Sequence, residues 1–296
     1  MTKPNPERAR DMLLGALVAD AASMGFHWLY DQDRIASLAG DTPEFRTPDP
    51  ADYADTKGFF AHGGKPAGAL SHYGEQCLVM YRALALKNGY DRAIYEQEFQ
   101  NAFGYGGTYT GYIDRPTRAT LDTMAANPDA TGYHGADDMQ LPATSKLPGI
   151  AVAAPDMVED AIRVTNNNDT AVDYGRYVAD IMAQTLAGIS PSQAVKTGGP
   201  AAIKRALGMD GTTIEITNTI GMSCQLDYGV PSVAHNMLHS IDFKTAVRTN
   251  ILAGGDSCGR AIIVGALMGA EHGVPDDWAA KLVDLPEIES LIQAIV

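Results

Sequence analysis

The stretch GGDSCGRAIIVGALMGAEHG, residues 254–273, decides how this chain folds. Two glycines and an aspartate open an apolar run. Aspartate is a preferred helix N-cap, because its carboxylate accepts from the free N–H groups of the first turn. Glycines before it allow a close approach of backbone that a side chain forbids. The run therefore reads as a helix over residues 256–271. Gly265, Ala266, Gly269 and Ala270 give it a surface of small residues, where another helix can pack at short range. Helical periodicity appears again near the start of the chain. Leu13, Leu17, Asp20 and Met24 recur at steps of four, three and four, so they share one face of a helix over about 6–24. Asp20 thus lies in an apolar stripe. An unpaired carboxylate there is costly, so it needs a hydrogen-bonding network, an arginine or a cation.

Between these ends the pattern stays helical. SHYGEQCLVMYRALALKNG, residues 71–89, stops at Asn88-Gly89. Further helices are predicted over about 92–103, 117–126 and 169–188, the last with Pro191 just beyond as a stop. Shorter ones fit 192–197, 200–206, 231–239 and 242–253. GTTIEIT, residues 211–217, alternates with period two and predicts a short strand or extended arm. Residues 34–68 are broken by prolines and glycines, and long loops of this kind are often functional. No repeat or linker divides the chain. The expectation is a single all-α domain over residues 1–296, with about 12 to 15 helices at the usual mean length.

Lysine and arginine number 22 against 36 aspartates and glutamates, a net charge of −14. That balance disfavours nucleic acid and anionic membranes as partners. An anionic small molecule would need helix N-termini, a few arginines or a metal to hold it. No run of apolar residues is long enough to span a bilayer. The opening MTKPNPERARD lacks the apolar segment of a signal peptide. Cys77, Cys224 and Cys258 are odd in number and widely spaced, as reduced thiols are. A cytoplasmic protein is expected, with Cys77 and Cys224 in the core.

Several residues are candidates for chemistry. Cys258 falls in the first turn of its helix, where the helix terminus and nearby Arg260 favour a thiolate; Asp256 disfavours one, and the reading as a small buried hydrophobe is preferred. His27, followed by Trp28, Tyr30 and Asp31, is either part of a packed aromatic elbow or a general acid/base. His72 and Tyr73 open the next helix and could reach the same place. Arg115 and Arg118 flank a helix start and could hold a pyrophosphate, or pair on the surface. His235 and His239 have an i, i+4 metal spacing, without the glutamate of an H-E-x-x-H motif. Asp137-Asp138 reads as a solvated pair. GYGGTYTG lacks the Lys and Ser or Thr of a P-loop.

Taken together, GALVADAASMGFHWLYD (residues 15–31), NILAGGDSCGRAIIVGALMGAEHG (250–273), YGEQCLVMYRAL, TGYIDRPTRATL, NNNDTAVDYGRYVADIMAQTLAG and VPDDW resemble the ADP-ribosylglycohydrolase family. They are most similar to its branch of J-group crystallins and selenoprotein J. The resemblance implies an all-α domain with a central cleft, and removal of ADP-ribose with a pair of Mg²⁺ or Mn²⁺ ions held by carboxylates and threonines. By that resemblance Asp20 and Asp114 are retained ligands, and His27 stands where the enzymes have a glutamate. The Thr-Asp-Asp-Thr motif falls on residues 73–76, where only Glu75 is a carboxylate. The Gly-Gly-Asp-Thr-Asp-Thr motif keeps Asp256 but has Ser257, Cys258 and Gly259 after it. Magnesium prefers oxygen ligands, whereas a thiolate suits softer ions. A two-metal site is therefore not expected, although Asp20, Glu75, Asp114 and Asp256 could hold a single Mg²⁺ or Mn²⁺. The leading expectation is a hydrolase of an ADP-ribosyl or related glycosidic substrate. One of those carboxylates would activate water, His27 would donate the proton, and Arg115, Arg118 and Arg260 would bind the ligand's phosphates. The alternatives are an inactive ligand-binding or structural, crystallin-like protein, and a thiol function at Cys258.

Overall fold

Asn5 starts the first helix, Pro6–Ser23, by accepting from the amides of Glu7 and Arg8, with Pro6 at the position that needs no N–H donor. The computed structural model describes residues 5–128 and 131–296. Among them are sixteen α-helices, a few 3₁₀ turns and isolated β-bridges, but no strand. The surplus over the expected number is made of short pieces such as Pro191–Ala194 and Asp276–Ala279. No described helix is long and apolar enough to cross a membrane.

The fold is organised around one crossing. The first helix runs antiparallel to the Ser257–His272 helix, the one predicted from the quoted stretch. Gly15 faces Gly265, and Gly269 faces the backbone of Asp11. A Cβ at Gly265 would lie 2.1 Å from the Gly15 carbonyl oxygen, and one at Gly269 would lie 2.1 Å from that of Asp11. The small-residue surface thus allows near backbone-to-backbone contact. Residues 257–270 are buried on every face, which is the pattern of a helix at the centre of a domain. The helices His72–Lys87, Asp169–Leu186, Leu226–His239 and Phe243–Leu252 pack around the pair, and their apolar residues join one continuous core.

Most helix bounds follow the sequence signals. Arg92–Phe103 appears as expected, and Asn88 closes the preceding helix in the left-handed conformation. Two expectations are corrected. GTTIEIT is not a strand: Thr213–Ile220 is a helix, because Thr212 and Glu215 form a reciprocal capping box. Its buried residues, Thr213, Ile216 and Thr217, follow helical spacing. Pro231 does not begin a helix either. It lies inside Leu226–His239, whose first turns precede it.

Candidate functional site

The antiparallel crossing brings the C-terminal end of the first helix beside the N-terminus of the Ser257–His272 helix, where the Ser257 hydroxyl donates to the Ser23 carbonyl at 3.2 Å. The N-terminus of the His72–Lys87 helix is latched to the same place. Ser71 caps that helix and donates both its amide (2.8 Å) and its hydroxyl (2.5 Å) to Asp20. Asp114 caps the Arg115–Ala126 helix through the Thr117 amide (2.7 Å) and accepts from Gln76 Nε2 (3.1 Å). Three helix N-termini therefore converge around the end of the first helix.

The partner that Asp20 needs is a hydrogen-bonding network. Burial still pushes its carboxyl up to about 6, with the two Ser71 bonds opposing. Asp256 caps its helix at the Gly259 amide (3.0 Å) and accepts from the Tyr73 hydroxyl at 2.5 Å. Burial raises the Asp256 carboxyl as well. Asp114 goes the other way: burial alone would raise it, but His72 and Thr117 outweigh that and hold it low. Glu75 is half-buried beside Lys65, one turn further along. The residues of its helix that face Asp20, Asp114 and Asp256 are Ser71, His72 and Tyr73, two positions before the expected motif.

His27 lies between these groups. Its Nδ1 accepts from the Cys258 amide at 3.2 Å and stands 3.7 Å from Asp256 Oδ1. Burial holds the ring's pKa well below the usual histidine value, so the imidazole is neutral, with its proton on Nε2. His72 packs 5.8 Å from it, ring centre to ring centre, with His72 Nε2 3.3 Å from Asp114 Oδ2. A third ring, His62, comes from the long loop and lies 5.1 Å from His27 and 5.9 Å from His72. Sequence reasoning missed His62; only the general warning about long loops covers it. Trp28, Phe59 and Tyr112 wall the cluster. Trp28 holds a left-handed φ of 62°, a strained conformation for a bulky residue. Hydrogen bonds from its amide to Gly255 O (2.8 Å) and to its carbonyl from the Phe59 amide (2.9 Å) fix it there.

The remaining expectations meet mixed outcomes. The carboxylate cage for a single ion is not assembled. Among the described residues, the only set of three or more His, Cys, Asp or Glu side chains with ligand atoms within 4.8 Å of one another is His27, His62 and His72. Asp20 and Asp256 are fully buried rather than open to a cleft, and their oxygens already accept from protein donors. With no three carboxylates bringing oxygens within 4.8 Å of one another among the described residues, this donor set does not fit a magnesium or manganese pair, which requires several oxygen ligands around each ion. Cys258 is fully buried, and burial, then Asp20 and Asp256, push its thiol well above the usual range. The thiolate reading is corrected to that of a small buried residue. Cys77 is in the core as expected, while Cys224 is half-buried.

Arg260 is corrected from ligand-binding to structural. It is buried and donates to Asn250 Oδ1 (2.9 Å), Asn250 O (3.2 Å) and Gly254 O (2.6 Å), clamping the turn before its helix. Burial lowers its pKa only to about 10, so it stays charged. Arg115 is exposed and pairs with Asp138 at 3.3 Å; Arg118 donates to the Ile113 carbonyl and lies over the Tyr112 ring. Asp138 is not solvated but buried, accepting from the Gln140 amide. His235 Nδ1 is 2.9 Å from the Thr213 hydroxyl, and among the described residues no third metal-type ligand joins its pair with His239.

Comparison with known proteins follows the same lines. The family model for ADP-ribosylglycohydrolase matches residues 1–296. Crystallin J1A of Tripedalia cystophora is 26% identical, over 93% of this chain and 92% of its own. Crystallin J1B of the same animal is 23% identical, over 98% and 96%. A solved ADP-ribosylglycohydrolase-related protein complex superposes with a TM-score of 0.77 at 18% identity, covering 98% of this chain and 97% of that one, which shows a shared fold.

Proposed function

Because the chain belongs to the ADP-ribosylglycohydrolase family, we propose that it keeps the family's fold without two-metal hydrolysis and acts as a ligand-binding or structural member. The observation that carries this reading is the latch on Asp20: both carboxylate oxygens accept from Ser71 in a fully buried setting, and among the described residues no cluster of carboxylate oxygens forms around it. Tyr73 and the Gly259 amide occupy Asp256 in the same way. The similarity to two crystallins supports a structural role. We also propose Arg115 and Arg118, at the start of the Arg115–Ala126 helix, as the cations that would meet an anionic small molecule.

The test is calorimetric titration of ADP-ribose into the chelator-treated protein, with and without Mg²⁺, alongside hydrolysis of ADP-ribosyl-arginine. We expect no turnover and no effect of Mg²⁺ or Mn²⁺ on binding. Turnover that rises with Mg²⁺ and disappears in Asp20→Asn would overturn the reading.

A second reading has one observation in its favour. His72 Nε2 stands 3.3 Å from Asp114 Oδ2, a buried imidazole–carboxylate pair of the kind that serves general acid/base chemistry without a metal. It predicts glycosidic hydrolysis in the presence of chelator, lost in Asp114→Asn, which retains a capping side chain.

A further inference from the structure

Buried polar atoms are nearly always hydrogen-bonded, so an unpartnered group calls for a reason. In the histidine cluster the mismatch is concentrated. Nε2 of His27, both ring nitrogens of His62 and Nδ1 of His72 lack a hydrogen bond, and all three residues are buried, while His72 Nε2 has only the Asp114 carboxylate at 3.3 Å. Aromatic packing alone gives no use for four such nitrogens. One nitrogen from each ring lies within 4.8 Å of the other two. Three points so spaced are at most about 2.8 Å from their common centre, and a zinc–imidazole bond is about 2.0–2.1 Å. Each nitrogen would move inward by less than about 1 Å to reach a shared ion.

We propose that His27, His62 and His72 form a three-imidazole site for a transition-metal ion of the Zn²⁺ class, with a fourth position left to water or a small ligand. The donor chemistry selects the ion: imidazole suits zinc, copper, iron and nickel, not magnesium. Metal-bound histidines usually give their other N–H to a carboxylate or carbonyl. Two of these rings have such a carboxylate at hand. Asp256 Oδ1 is 3.7 Å from His27 Nδ1, and Asp114 Oδ2 is 3.3 Å from His72 Nε2. When His27 Nδ1 turns from accepting the Cys258 amide to donating toward Asp256, Nε2 presents its lone pair. With His72 Nε2 donating to Asp114, Nδ1 does the same. The carboxylates Asp114 and Asp256 face the ion's two positive charges; Lys65, near His62, and the buried Arg260, near His27, oppose them. This site does not depend on the functional reading above, since an ion can bind whether or not any glycosidic bond is cleaved.

The experiment is titration of the chelator-stripped, full-length protein with Co²⁺, read by visible absorption, followed by displacement with Zn²⁺. We expect one Co²⁺ per chain, with the intense bands of a four-coordinate site that Zn²⁺ abolishes. His62→Ala and His72→Ala should each weaken binding by at least about 100-fold, beyond the effect of losing an outer partner. Asp114→Asn should weaken it by about 10-fold, and His235→Ala should leave it unchanged. Circular dichroism checks that the variants fold. For the wild-type chain, ¹⁵N shifts of the imidazoles on adding Zn²⁺ give a readout that needs no variant, and three rings should move. Absence of the cobalt bands at equimolar metal, unmoved imidazole signals, or unchanged bands in both folded histidine variants would overturn the proposal.

Discussion

Replacing Gly265 by alanine tests the crossing on which the site is built. The new methyl would lie 2.1 Å from the Gly15 carbonyl oxygen, 2.7 Å from its carbon and 2.5 Å from the Ala19 Cβ. The two closest of these atoms in Gly15 are backbone, so no rotamer change relieves the clash. Ordinary contact begins at 3.4 Å, so the helices must part locally by roughly 1.3 Å. A gap of about 0.5–1 Å already forfeits a quarter to a half of a dispersion contact. Overpacking of a core typically costs about 1–3 kcal/mol, and this case belongs at the top of that range or above it. Alanine returns about 1 kcal/mol through helix propensity. The net loss is then about 2 kcal/mol or more. With an unfolding entropy of about 2.1 cal/mol/K per residue, that lowers Tm by roughly 3 °C or more in a chain of this size. Gly175→Ala is the reference, because its methyl meets only side-chain atoms, nearest the rotatable Ile162 Cδ1. It should stay within about 1 kcal/mol of wild type. Thermal and urea denaturation measure both. A Gly265→Ala protein as stable as Gly175→Ala would refute the close crossing.

Arg260→Ala leaves three buried acceptors without a donor and should destabilise by about 3 kcal/mol, whereas Arg115→Ala should change stability by less than about 0.5 kcal/mol; urea midpoints separate them. Lys146 is fully buried, and burial lowers its amine to about 7 from an ordinary 10.5. Between those values the unfolded chain holds a proton that the folded one does not, so this group adds stability as pH rises. The stability of wild type relative to Lys146→Met should therefore grow between about pH 7 and 10, by up to about 1.4 kcal/mol per pH unit. A difference independent of pH, measured by urea melts, would contradict the assignment. Thr212→Ala breaks the capping box and should cost about 1 kcal/mol, which the same melts would detect.

The helices were legible because their signals are local. Caps, stops and periodicity each lie within a few residues, and the glycine and alanine surface of residues 265–270 announced a close neighbour. Asp20 was legible in part. Its place in an apolar stripe showed that it required a partner, but Ser71 lies 51 positions away and nothing nearby names it. GTTIEIT misled because period-two alternation is short-range, whereas Thr212 and Glu215 had the spacing of a capping box all along. The histidine cluster was half visible. His27 and His72 each stood beside an aromatic residue at a helix end, but His62 joins them only through the folding of an irregular loop. Arg260 was misjudged since a sequence does not distinguish an arginine aimed at solvent from one turned back onto carbonyls.

The Asp20 latch also constrains what substitution can do to this protein over time. A side chain at Gly74 would begin 2.2 Å from Asp20 Oδ2, and one at Gly259 would begin 2.8 Å from Asp256 Oδ1. Gly74 cannot gain a side chain while Asp20 holds its present bonds, whereas at Gly259 the nearest atoms, Asp256 Oδ1 and Leu141 Cδ1, are side-chain ends that can shift. Asp20 must first leave Ser71, and that leaves a helix N-terminus without its anchor and a carboxylate without its donors. A route to a ligand-bearing residue at Gly74 is therefore ordered, with its first step the least favourable. Local packing alone thus holds position 74 as glycine, independently of any demand from activity.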